Sequence, residues 1–225
     1  MTEEEVAKRG LPDYLREGLD IVFIGINPSL AAAYSGKYYD GPGNHFWTAL
    51  YLSGFLPAPM GPQDDYKLLD LGIGFTNVVA RTTRGIADLT KKEIAEGAVI
   101  LREKLRMFKP KIAVFNGKAI YQVYSQQKKF MFGKQPEQLE GCDTWIWVMP
   151  SSSARCAQLP RAVDKVRTWC HFIVIAYFDN YVDKIFLAAA LLSPLLHFLM
   201  LCFKACVFFQ LLWTLNFKSH ESPDL

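Results

Sequence analysis

Four short apolar runs punctuate this chain, Leu19 to Ile26, Ile73 to Val79, Lys111 to Phe115 and Trp145 to Met149, and each ends in a polar or Gly/Pro-bearing cluster. The first contains Ile-Val-Phe-Ile without a charge, the pattern of a strand buried on both faces. Helical patterns separate the runs. Asn44 opens one in which Phe46, Trp47, Leu50 and Tyr51 share a face before Gly54 closes it. Thr90 and Glu93 form a capping-box pattern ahead of Ile94, Ala98, Leu101 and Leu105, and Lys109-Pro110 stops that helix. A short helix is expected over Ala119 to Tyr124, and another from Pro160 to about Arg167. This alternation predicts right-handed crossovers and an α/β fold: three layers, α/β/α, around a four-stranded, mostly parallel sheet.

In an open parallel sheet, ligands bind beyond the carboxyl ends of the strands, so the polar residues at the four exits should share one cleft. The first exit is Gly25-Ile26-Asn27-Pro28. The Asn27 amide has no useful basicity, but it can accept a hydrogen bond from a water and hold it for attack; an asparagine here also suits turn geometry alone. The second exit offers Thr76-Asn77 and then Arg81-Thr82-Thr83, hydrogen-bonding groups suited to a planar polar ligand. The third, Asn116-Gly117-Lys118, places an amide, a flexible N–H and an ammonium at a helix start, which suits a phosphate or simply solvent. The fourth, Ser151-Ser152-Ser153-Ala154-Arg155, carries small hydroxyl donors of the kind that contact backbone phosphates, with an arginine at a loop tip. Between the first strand and first helix, Tyr38 and Tyr39 precede the turn Gly41-Pro42-Gly43 and Asn44; they can stack a nucleobase or pack the loop.

Bulk properties narrow the class. A formal charge of +3 is too mild to argue by itself for a polyanionic ligand. Five cysteines at irregular spacing give neither a disulfide framework nor a Cys-x-x-Cys metal pair, so a reducing intracellular compartment and no metal are expected. Met1 to Arg9 is charged and lacks the apolar core of a signal peptide.

Six blocks carry a family resemblance: Gly25 to Pro28, Gly41 to Trp47, Gly72 to Asn77, Arg81 to Thr83, Ala113 to Lys118 and Met149 to Gln158. In order and spacing, over about residues 10 to 166, they resemble the mismatch-specific thymine/uracil-DNA glycosylases, the vertebrate thymine-specific branch most closely. The resemblance implies a uracil-DNA-glycosylase-like fold and a cofactor-free, monomeric, nuclear base-excision enzyme. Its substrate would be double-stranded DNA bearing thymine, uracil or an oxidised 5-methylcytosine opposite guanine, with the target base flipped out of the stack.

Carried over by position, the resemblance implies that Asn27 holds the attacking water and Thr83 helps place it. Ile26, Ala32, Tyr38 and Tyr39 would shape the base pocket, and Asn77, with Asn44 nearby, would bind the polar edge of the pyrimidine. Asn116, Lys118, Ser151 and Ser153 would grip phosphates, Arg155 would fill the hole left in the duplex, and backbone around Ala154 and Pro160 would read the opposite guanine. Ser29 stands where the family usually has glycine, a change that matters if the turn needs positive φ.

The resemblance stops near Arg167, dividing the chain into a glycosylase domain over 1–168 and an apolar extension of unknown role over 169–225. Within the extension, 185–203 is free of Asp, Glu, Lys and Arg over 19 residues, the length of a bilayer-spanning helix. Pro194 and His197 interrupt that stretch, and an anchor conflicts with access to nuclear DNA, so an appended carboxyl terminus is the reading preferred over membrane association.

Overall fold

The strand with the Ile-Val-Phe-Ile core, β1 (Ile21–Gly25), is buried at every position, because it is flanked by strands on both sides and covered by packed layers on both faces of the sheet. The computed structural model describes residues 1–156, 161 and 163–169, all within one compact unit, Met1–Phe172. Pro160 and the apolar extension beyond residue 169, including 185–203, lie outside the described residues.

In chain order the elements are α1 (Glu3–Ala7), β1, α2 (Leu30–Ser35), α3 (Phe46–Leu52), β2 (Ile73–Asn77), α4 (Lys91–Phe108), β3 (Ile112–Asn116), α5 (Lys118–Ser125), β4 (Gly133–Gln138) and β5 (Trp145–Met149). A helix over 163–169, here α6, follows. The sheet order is β2-β1-β3-β5-β4, with every pairing parallel except β4 with β5. The mostly parallel α/β sheet is thus as expected, but it has a fifth strand. Gly-Lys-Gln-Pro-Glu-Gln in β4 gives no strand signal, since Pro136 cannot donate to a ladder and the side chains are polar. An edge position tolerates both, and the pairing is irregular between Lys134 and Gln138, the interval that holds the proline.

Alternation of side chains along the strands builds the other two layers. Val22, Ile24, Ala113, Phe115, Ile146 and Val148 pack with Ile94, Leu101 and Leu105 of α4 and Ile120, Tyr121 and Tyr124 of α5. Gly97 lets α4 approach closely, since a Cβ there would sit 2.2 Å from the Val78 carbonyl oxygen. On the opposite face, Phe23 meets Phe46 of α3 edge-on at 5.0 Å and stacks on Trp169 of α6 at 6.0 Å. These rings form an aromatic floor directly beneath the tyrosine-bearing loop.

The strongest helix signal behaves as the sequence suggests, while the start of the helix expected from Pro160 lies outside the described residues and its described part runs to residue 169. Thr90 and Glu93 form a reciprocal capping box, and α4 ends where Lys109 turns left-handed at φ 43°, just before Pro110. The segment after Pro28, expected as irregular loop, is instead the short helix α2. Ser29 caps it through Oγ, which accepts from Ala32 N, and Gly36 ends it at φ 72°.

Candidate active site at the strand exits

Ser29 adopts φ −77° and ψ 161°, an extended conformation open to any residue. Serine in place of glycine therefore leaves the Asn27-Pro28 turn undisturbed, and its hydroxyl adds a helix cap. The expectation that this substitution could displace the turn does not hold.

The ladder between β1 and β2 continues past both strands. Val78 N donates to Gly25 O and Val79 N to Ile26 O, which brings the Arg81-Thr82-Thr83 segment alongside Asn27. Thr83 N then donates to Pro28 O at 3.2 Å. The Asn27 Nδ2 amide donates to Arg81 O and to Thr83 Oγ1, both at 2.8 Å. A carbonyl oxygen can only accept, so the amide orientation is fixed, and both N–H groups are committed. Oδ1 is left as an acceptor. The Thr83 hydroxyl donates its own hydrogen bond to Gly85 O at 2.8 Å, which orients its oxygen to accept from the amide. Arg81 is bolted down from outside: Nε donates to Glu93 Oε1 at 2.5 Å and Nη2 to Asp88 O at 2.8 Å. The arginine pair, with the Thr90 cap hydrogen bonds, holds the Glu93 carboxyl down at about 2.

The tyrosine loop is held under strain. Tyr39 sits at φ 57°, unusual for a bulky residue and worth roughly 1–2 kcal/mol. Its neighbours overdetermine it. The buried Asp65 carboxylate accepts from Tyr38 N at 3.1 Å and from Lys37 Nζ at 3.0 Å, while Trp47 Nε1 donates to Tyr38 O at 3.1 Å. The Tyr39 ring stacks on Phe46 with centroids 3.9 Å apart. Its hydroxyl is enclosed near Asn116 yet within hydrogen-bonding geometry of no described group, and burial pushes its pKa above the ordinary tyrosine range. Tyr38 is deeper, only 2% exposed; its ring stacks on Phe75 and its hydroxyl donates to Pro12 O.

Asn77 lies against Gly25. A Cβ at that glycine would fall 2.4 Å from Asn77 Oδ1 and 3.9 Å from the Tyr39 hydroxyl, so this strand end brings the tyrosine and the amide together. Asn77 Nδ2 reaches the Tyr38 hydroxyl at 3.5 Å. Ile26 is half-buried beside Asn27, and Ala32 is buried within α2. Asn44 Oδ1 accepts from Phe46 N at 3.1 Å, so its side chain serves the start of α3.

The serine turn closes the ring. Asn116 Nδ2 donates to Ser152 Oγ and Ser152 N donates back to Asn116 Oδ1, each at 2.9 Å. Asn116 is 5% exposed, its side chain turned inward to tie β3 to the turn. Ser151 Oγ accepts from Ser153 N, and Ser153 Oγ from Arg155 N, both at 3.3 Å. Lys118 starts α5 immediately behind the turn, after Gly117 at φ 141°. From α6, the buried Lys165 donates to Ser153 O at 2.5 Å and Trp169 Nε1 to Pro150 O at 2.7 Å. The tyrosine loop docks on the same turn: His45 N donates to Ser152 O at 3.0 Å, and Gly43 faces Ala154 so closely that a Cβ would stand 3.0 Å from its methyl. Burial and the Lys165 ammonium hold the His45 imidazole below its ordinary pKa. Arg155, exposed, folds back so that Nη1 donates to Arg84 O at 2.6 Å.

Asn27, Thr83, Arg155, the serine turn, Asn44, Tyr39 and Asn77 thus form one contiguous rim. Sequence reasoning singled out most of it but missed Ser152, Lys165, Arg84 and the Arg81 carbonyl. Ser152 is undifferentiated among three serines, Arg84 and Arg81 act through backbone carbonyls, and Lys165 lies on the helix expected after Pro160, whose pattern does not say that its lysine reaches the serine turn.

Two comparisons with known proteins agree with this architecture. The solution NMR structure of a Methanosarcina acetivorans protein, described as a candidate uracil DNA glycosylase, superposes with a TM-score of 0.50 at 23% sequence identity, covering 73% of this chain and 98% of that one. The family model of the uracil DNA glycosylase superfamily matches residues 12–172, the span that contains every strand among the described residues and the whole rim. The chain belongs to the uracil-DNA glycosylase superfamily.

Proposed function

We propose that this chain is a monofunctional DNA glycosylase that excises thymine or uracil, and in a related reaction oxidised 5-methylcytosine, opposite guanine. The observation that carries the reading is the Asn27 amide: both of its N–H groups are committed to Arg81 O and Thr83 Oγ1, leaving Oδ1 as a fixed acceptor on the rim. An acceptor so placed holds a water by one of its protons and aims its oxygen lone pair at C1′ of an everted nucleotide. The bond from C1′ to the pyrimidine N1 breaks with its electron pair leaving on the base. The water oxygen then adds to the oxocarbenium-like sugar, and a proton is lost to solvent, giving an abasic site. No strong base is required, because alignment and electrostatics lower the barrier.

In this reading Tyr39 offers its ring to the base, and Asn77 binds the polar edge. Ser151, Ser153 and Lys118 contact phosphates, and Arg155 leaves the Arg84 carbonyl to occupy the vacated stack. Thr83 acts by holding Asn27. The ordinary backbone of Ser29 favours hydrolysis over a purely binding role. Nuclear localisation and action as a monomer belong to the same proposal.

The test is strand scission after alkaline treatment of guanine·uracil and guanine·thymine duplexes. Breakage by the parent and a loss on the order of a hundredfold or more in Asn27→Ala is expected. Binding without breakage by the parent would overturn hydrolysis.

A further inference from the structure

Arg84 stands on the rim between two groups of the candidate machinery. The residue before it, Thr83, holds the Asn27 amide, and its own carbonyl oxygen accepts from Arg155 Nη1 at 2.6 Å. Its mount is stiff, since Thr83 N is bonded to Pro28 O, and Thr82 Oγ1 to Arg9 O. Its side chain, however, is 72% exposed. Both of its side-chain hydrogen bonds go to one group, Nε and Nη2 donating to the two Glu3 carboxylate oxygens at 2.6 Å each, and the Asp88 carboxylate adds a smaller electrostatic attraction. Glu3 is itself 51% exposed and lies in the first turn of α1 beside Glu4 and Glu5.

We infer that Arg84 is a DNA-phosphate contact held in reserve by Glu3, the acidic α1 helix competing with duplex for this guanidinium. The argument rests on the glycosylase reading above. An exposed arginine in bidentate geometry presents the fork that fits a phosphate as well as a carboxylate. An exposed ion pair is weak, whereas each phosphate neutralised releases condensed counterions. Exchange of Glu3 for a phosphate therefore favours the duplex at low salt. Because Arg155 rests on the Arg84 carbonyl, the contact would lie next to the side chain that enters the stack. Glu5 is spent on the Thr2 capping box, so Glu3 is the acid committed to the arginine.

The full chain, Arg84→Ala and Glu3→Gln are compared by fluorescence-anisotropy titration of a guanine·uracil duplex and its fully paired counterpart across a salt series, with excision rates measured in parallel. Arg84→Ala should weaken binding to both duplexes about three- to tenfold near 50 mM salt and flatten the log–log salt slope by about 0.9. Glu3→Gln should tighten binding about two- to fivefold at the same salt. The double variant should match Arg84→Ala, because without the guanidinium Glu3 has nothing to withhold. An unchanged slope in Arg84→Ala, or unchanged or weaker binding in Glu3→Gln, overturns the inference while parental excision leaves the glycosylase reading standing. If the parent neither binds nor excises, both fall.

Discussion

Asn27 and Thr83, 56 residues apart in the chain, are joined by a 2.8 Å hydrogen bond in which the amide donates and the hydroxyl accepts. The bond fixes which atom of the amide remains available, and so it predicts an asymmetry between two variants. Asn27→Asp removes the N–H groups and sets a carboxylate against the Arg81 carbonyl, so it should lose excision nearly as fully as Asn27→Ala despite keeping the acceptor. Thr83→Val keeps the shape but leaves the amide held only by the Arg81 carbonyl, and single-turnover excision should fall about tenfold, equivalent to about 1.4 kcal/mol. Asn27→Asp retaining parental rates would show that the amide orientation is irrelevant.

The reciprocal pair between Asn116 and Ser152 is buried, so removing one partner strands the other away from water. Asn116→Ala should lower unfolding free energy by about 1–3 kcal/mol in urea titrations. It should also weaken duplex binding, since the serine turn loses its tie to β3. Retained stability would mean that α6 and the His45 backbone bond suffice to hold the turn.

Gly25 has no room for a methyl group, which would meet Asn77 Oδ1 at 2.4 Å. Gly25→Ala is expected to push the Asn77 amide aside and to reduce kcat/KM for uracil more than it reduces affinity for duplex DNA. An equal loss in both would place the damage in the fold rather than at the pyrimidine edge.

His45 gives a pH signature. Its folded pKa lies below its ordinary value, first through burial and then through the Lys165 ammonium, so the folded state binds fewer protons than the unfolded one. Stability is therefore full above the ordinary histidine pKa of about 6.5 and declines as pH falls from there through the lowered folded value. Because His45 N also bonds the serine turn, duplex affinity should decline over the same interval. In thermal melts between pH 7.5 and 5, His45→Gln should show a smaller pH-dependent loss than the parent; an identical loss would assign the effect elsewhere.

How much of this was legible in the chain follows from what each signal measures. β1, β3 and β5 and the capped helix α4 announce themselves because burial on both faces favours apolar runs and a helix start favours Thr90 with Glu93, whereas β2 carries a weaker signal, Gly74 and the buried Thr76 interrupting its apolar residues. β4 carries no such signal, since an edge strand needs no apolar pattern, and α2 reads as loop because six residues show little periodicity. The motifs identify Asn27, Asn77, Thr83 and the serine turn as site candidates, because each lies at or just beyond the carboxyl end of a strand in a parallel sheet.

What sequence alone determined is which polar groups stand at the carboxyl end of the sheet. What only tertiary structure decided is how their bonding capacity is divided: Asn116 turned inward to Ser152, Asn44 assigned to a helix start, Asn27 left with one acceptor, and Arg84 paired with Glu3. A side chain's type sets how many hydrogen bonds it can make. Which of them remain for a ligand depends on neighbours brought in by strand pairing and helix packing, a sum over contacts distant in sequence.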